Sequence, residues 1–255
     1  MGDGAAITVS TAFGPTWEHD GALPDIFILS SDAVYFSVHS QRVYLASANR
    51  FEGRIPEQRG PRAITSNTGP IVVALPEPAV VVQIMLYAIY GTSYGNQQPG
   101  FDAIAQTVEA MKKYWIHLHA YLQKGAPLFA LYLGQAPLRP LEAFTIAAEN
   151  ELEALAVDVS PYVMPINPED IPDDLAIRMG PLYLKRLWGL RCTRRETMRN
   201  IAKTGPYPHA PSRRCSQADR LGLTRAWSLA GGQLIWDFRP GMPTFLRRCA
   251  RSLTT

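Results

Sequence analysis

Regular patterning starts at Asp25-Ile26-Phe27-Ile28-Leu29, an apolar, β-favouring run that stops at the turn-forming Ser30-Ser31-Asp32. Val34, Phe36 and Val38 then alternate with Tyr35, Ser37 and His39, the period of a half-buried strand, so the two runs predict a hairpin. From Ser40 the period lengthens: Val43, Ala46 and Phe51 fall near helical spacing, with Ser40 available as an N-cap. Residues 53–69 collect Gly, Pro, Arg, Asn and Ser and read as a loop, and Ile71 to Leu75 reads as another strand. Pro76-Glu77-Pro78 opens a helix over Val80 to Tyr90 that is apolar on every side, with Gly91 as its C-cap. Phe101, Ile104, Ala105, Val108, Met111 and Trp115 mark an amphipathic helix, and Leu118, Tyr121 and Leu122 a shorter one after it.

Leu141, Phe144, Thr145, Ala148, Leu152 and Leu155 predict a helix started by Pro140 and stopped near Pro161, and a last helix is expected over Pro181 to Trp188. Residues 1–24 show no sustained period and are expected to form a flexible leader. Beyond Arg191 periodicity fades, and three prolines lie between Gly205 and Ser212, so 191–255 is expected to be a basic, irregular tail. Strand, strand, helix, strand, helix and helix pair is an α+β order: a small three-stranded sheet flanked by helices over 25–132, then a helical extension over 138–190.

Composition supports a folded chain, with 47% apolar and 10% aromatic residues in 255. Charge divides it. Residues 1–184 carry 10 Lys/Arg against 19 Asp/Glu, a balance of −9, whereas 185–255 carry 15 against 3, a balance of +12. Such a tail favours anionic partners, so association with nucleic acid through the tail is the alternative reading of function. Cys192, Cys215 and Cys249 are sparse and odd in number, which favours free thiols in a reducing compartment. The N-terminus has neither a secretory pattern nor, with Ala6 at the decisive position, a myristoylation pattern. The most apolar window, Ala79 to Ile89, is about half of what a bilayer needs. The expected location is the cytoplasm, the nucleus or both, without membrane contact.

The order of these motifs carries a resemblance. Asp25-Ile26-Phe27-Ile28-Leu29, the strand closing on Phe36-x-Val38-His39, and Val43-x-Leu45-Ala46-Ser47-x-x-x-Phe51 resemble the opening of BTB/POZ domains, in the divergent form found in mushroom-forming fungi. Ile71 to Glu77 with Val81 to Gly91 is similar to the family's next strand and helix, and Ala110-Met111-Lys112-Lys113-Tyr114 to its terminal helix pair. About 110 of the 255 residues are covered. The resemblance implies a non-enzymatic protein-interaction module that pairs subunits through its first helix and strand, as a homodimer or hetero-complex, and in many members recruits a cullin ubiquitin-ligase scaffold or a transcriptional regulator. On that basis Asp25, Phe27, Val43, Tyr44, Phe51, Tyr87 and Tyr90 are the expected interaction surface. Three departures stand out. Ser47 to Phe51 is one residue longer than the family spacing. Ser40 replaces the basic residue that would pair with Asp25, and Arg42 lies on another helical face. No clear cullin-contact motif is present.

No Gly-x-Gly-x-x-Gly, Walker loop, Gly-x-Ser-x-Gly or His-Glu-x-x-His pattern occurs, and neither catalysis nor a cofactor is expected. On one helix His117 and His119 would point about 200° apart, too far to share an ion. Cys192, His209, Cys215 and Cys249 lack the close ligand pairs of structural zinc sites. Glu169, Asp170, Asp173 and Asp174 read as a solvated loop and helix start, and His39 as a hydrogen-bonded structural histidine.

Overall fold

The computed structural model describes residues 8–55, 71–95, 98–205 and 216–237. Two compact units result: residues up to Arg139 with Leu152–Leu155, and Pro140–Glu151 with Ala156 onward. The first is mixed α+β, a small sheet flanked by helices. β2 (Ile26–Leu29) lies between an antiparallel β3 (Val34–Val38) and a parallel β4 (Ile71–Ala74). Alternation along β2 sends Ile26 and Ile28 into the core.

Among the described residues the sheet has four strands instead of the three expected. Thr8–Val9 forms β1, parallel to β3, in the order β1-β3-β2-β4. The leader is therefore ordered from Thr8 onward. Phe13 is 1% exposed, its carbonyl accepts from the Ser37 amide at 2.8 Å, and its ring packs among Trp17, Phe36, Tyr87 and Tyr90. Two aromatic anchors order this segment where periodicity gives no sign of it.

α1 (Ser40–Ala46) ends at Ser47, and the extra residue before Phe51 is taken up by a turn of the opposite hand. In α2 (Arg50–Gly53) all four residues have positive φ, 56°, 52°, 59° and 76° in order. Left-handed backbone costs roughly 1–2 kcal/mol for each residue bearing a Cβ, so it persists only where neighbours enforce it. α3 (Ala79–Tyr90) buries Val81, Val82, Ile84, Met85, Leu86, Ala88, Ile89 and Tyr90, which explains its all-round apolar sequence, and stops at Gly91 in the left-handed region (φ 66°). It packs against α4 (Phe101–Lys113) and α6 (Pro127–Gln135). α6, opened by a proline in its first turn, is a helix beyond those expected. α5 (Leu118–Tyr121) is a single turn between them.

The second unit is helical. The single helix expected from Pro140 to Pro161 is two, α7 (Pro140–Glu149) and α8 (Glu153–Val163), separated at Glu151, whose φ is 55°. Pro161 sits inside the last turn of α8 rather than ending it; it has no amide hydrogen for the Val157 carbonyl, which accepts instead from Ser160 Oγ at 2.8 Å. α9 spans Asp173–Lys203 with one break at Gly180 (φ 73°, ψ 163°), a conformation only glycine adopts readily, and Pro181 starts the second segment. The expected irregular tail is helical over much of its described length: α9 continues to Lys203, and α10 runs over Gln217–Asp237. The Trp227 indole N–H donates to the Ala202 carbonyl at 3.0 Å. Gly231 lets α10 approach so closely that an added Cβ would meet that oxygen at 3.1 Å. Most of the 53–69 loop and the proline-rich 205–212 stretch lie outside the described residues.

Candidate interaction surface

The segment 46–51 is fastened to the end of α4 by two short polar side chains. Ser47 Oγ donates to the Tyr114 carbonyl at 2.6 Å and accepts from the Phe51 amide at 2.8 Å. Asn49 Nδ2 donates to the Lys113 carbonyl at 2.9 Å, while its Oδ1 accepts from the Glu52 amide at 3.2 Å. Ser47 pairs with Ile116 as an isolated bridge, the Ala48 amide donates to the Trp115 carbonyl at 3.3 Å, and the Phe51 ring stacks on Tyr114 at 4.7 Å. These bonds hold the left-handed turn in place.

Two large apolar side chains face outward from this clamp. Leu45, two residues before Ser47, is 73% exposed. Trp115, one residue before Ile116, is 67% exposed and has a φ of 52°. α4 ends at Lys113, so Trp115 turns to solvent instead of joining the buried face expected from its spacing after Met111. Beside Leu45, the half-buried Tyr44 lies beneath the Arg50 guanidinium, 5.0 Å from its ring centroid. Several charges near the clamp are paired: Lys112 with Glu109 at 3.2 Å and Lys113 with Glu77 at 2.8 Å. Tyr114 donates to Glu77 Oε2 at 2.5 Å, and burial, with the Glu77 carboxylate adding to it, pushes the Tyr114 hydroxyl well above the usual tyrosine range.

The expected surface residues fare unevenly. Val43 and Phe51 are fully buried and Tyr90 is 6% exposed, so these three are core and present no side chain to a partner. Asp25 is half-buried and accepts from the Ser40 amide at 2.7 Å and from the Ser40 hydroxyl at 2.6 Å, capping α1 from outside the helix. Ser40 is thus the first helical residue instead of the N-cap. Arg42 turns away from Asp25 to His19 Nε2 (2.6 Å) and Asp20 Oδ2 (3.1 Å). Phe27, half-buried in β2, meets the Tyr35 ring edge-on at 6.5 Å. Tyr87 lines a cleft of about 220 Å³ with Val80, Gln83, Ile84, Tyr94 and Pro99. Leu45 was legible as an outward residue, since it lies two positions, or about 200°, from the inward Val43. Trp115 gave no such sign, because its exposure depends on where α4 ends.

His39 is buried, with Nε2 at 2.9 Å from the Ala22 carbonyl and Nδ1 at 3.0 Å from the Tyr90 hydroxyl. A carbonyl can only accept, so Nε2 carries the proton. Tyr90 then accepts from the His39 amide at 2.9 Å and donates to Nδ1. His117 precedes α5 in extended backbone, which brings its ring within 5.6 Å of that of His119 and corrects the wide separation expected for a common helix. Among the described residues no group of three potential metal ligands occurs. Of the four residues weighed as a zinc set, only the exposed Cys192 is described; His209, Cys215 and Cys249 lie outside. No described helix is long and apolar enough to cross a membrane.

The chain matches no protein-family model, and no curated protein matches it at a significant level.

Proposed function

We propose that the first unit is a protein-interaction module of BTB/POZ type that pairs with a second copy of itself and so presents the chain to further protein partners. The observation that carries this reading is the exposure of Leu45 and Trp115 on a clamped, strained platform beside the first helix. Backbone held in rarely populated conformations by its surroundings is characteristic of binding sites. Trp, Tyr and Arg are the residue types that dominate interface centres, and Trp115 with the Tyr44–Arg50 pair supplies all three near the clamp. The element order hairpin, helix, parallel strand, buried helix and helix pair agrees with the resemblance described above, in which the first helix contributes to pairing.

Replacing Leu45 and Trp115 together by aspartate tests the reading. Both side chains are exposed, so the circular dichroism spectrum should be unchanged, while self-association measured by sedimentation velocity should weaken at least about tenfold, the loss of one modest hot spot. Unchanged association would remove this surface from the interface.

A further inference from the structure

The basic half of α9 raises a separate question. Between Lys185 and Lys203 it carries seven Lys or Arg and one acid, Glu196. One of the seven is turned inward: Arg191 is 6% exposed, and its guanidinium donates to the Ile166 carbonyl. Of the outward positions, Lys185, Trp188, Cys192, Arg195, Arg199 and Lys203 follow one another at intervals of three or four residues and therefore share a face. The line is roughly 27 Å long at 1.5 Å per residue. Trp188 is 59% exposed within it.

Arg195, Arg199 and Lys203 succeed one another at i, i+4, a spacing that destabilises a bare helix when the charges are alike. Arg199 has only a long contact with Glu196, at 3.9 Å. Among the described residues no carboxylate lies within ion-pair distance of Lys185, Arg195 or Lys203. An external polyanion would relieve this repulsion. The helix's apolar side is already used, since Tyr183, Leu187 and Met198 are buried and α9 packs on α7, with Phe144 edge-on to Tyr183 at 6.3 Å. A membrane-surface helix needs that apolar sector free, and here it is not. What remains outward is a row of cations with one aromatic face, the combination that tracks a phosphate backbone while stacking an unpaired base.

We infer that the outward face of α9, Lys185, Trp188, Arg195, Arg199 and Lys203, binds single-stranded nucleic acid through its phosphates, with Trp188 as the stacking platform. This site lies in the second unit and does not depend on pairing by the first.

Fluorescence anisotropy of labelled oligothymidylate and oligouridylate with the full chain tests it. The affinity should fall as salt rises, with a log–log slope of about −3 for four phosphates neutralised. Arg195→Ala/Arg199→Ala/Lys203→Ala should weaken binding at least about tenfold and reduce the slope by about 2. Trp188→Ala should weaken it about tenfold with the slope unchanged, and Trp188→Phe should restore most of the loss. The charge-preserving Arg195→Lys/Arg199→Lys should bind as the parent does, which separates lost charge from lost folding. Three results would overturn the proposal: no binding at low salt, binding lost in Arg247→Ala/Arg248→Ala/Arg251→Ala but kept in the α9 variant, or capture by phosphatidylserine vesicles without oligonucleotide binding.

Discussion

Asp25 and Asp32 stand on either side of β2, and each carboxylate starts a helix that is not its own. Asp25 receives the first amide of α1, and Asp32 Oδ1 receives the Ala79 amide of α3 at 2.8 Å while also accepting from Ser30 Oγ at 2.6 Å. Those bonds, that from Ser30 first, hold the Asp32 carboxyl below its ordinary value. Asp25→Ala should cost about 1–2 kcal/mol in urea denaturation, the range for a lost N-cap. At the basic end, burial pushes Tyr90 up to about 12 and raises Tyr94, Tyr114 and Tyr121 as well. The folded chain therefore keeps protons that the unfolded chain releases above about pH 10, so stability should be intact below that point and fall as pH rises towards about 12. Urea midpoints at about pH 8 and about pH 11 check this, and equal midpoints would contradict it. Such partnerships were only partly legible. The resemblance implied that the charged pairing with Asp25 is lost because Ser40 replaces the basic residue; that the Ser40 amide and hydroxyl nevertheless meet Asp25 depends on the way β2 and β3 converge.

Among the elements, those with many periodic residues were readable and those built by a few contacts were not. α3 and α4 follow from their apolar spacing, and Gly91 marks the end of α3 as expected. β1 has two residues and no period to read; it is held by Phe13, whose burial among four rings is a tertiary event. Phe13→Ala should therefore cost about 3–5 kcal/mol, the loss typical of a core aromatic. A leader that was merely flexible would leave the thermal midpoint unmoved. α10 was missed for a different reason: Leu221, Leu223, Leu229 and Ile235 are exposed and spread around it, and its attachment rests on Trp227 and Gly231 meeting Ala202. The α7–α8 break likewise depends on a single left-handed residue, Glu151, a position for which glycine or asparagine would have been the usual signal.

For the whole molecule, the switch in charge at residue 185 falls inside α9 and so within the second unit, not at the boundary between the two units. The first unit exposes Leu45 and Trp115 near ion-paired charges, the surface from which pairing is proposed; the C-terminal half of α9 exposes Lys185, Arg195 and Lys203 with no carboxylate at ion-pair distance among the described residues, which suits a polyanion. Trp115 could not be ranked above Val43 or Tyr90 from sequence, because its outward orientation depends on where α4 ends, whereas Leu45 could be placed outward by its offset of about 200° from Val43. Light scattering coupled to size exclusion on the full chain measures directly whether two copies pair. The expected species has twice the 28.2 kDa chain mass and becomes a folded monomer in Leu45→Asp/Trp115→Asp. A wild-type chain that remains at 28.2 kDa across a wide concentration series would contradict it.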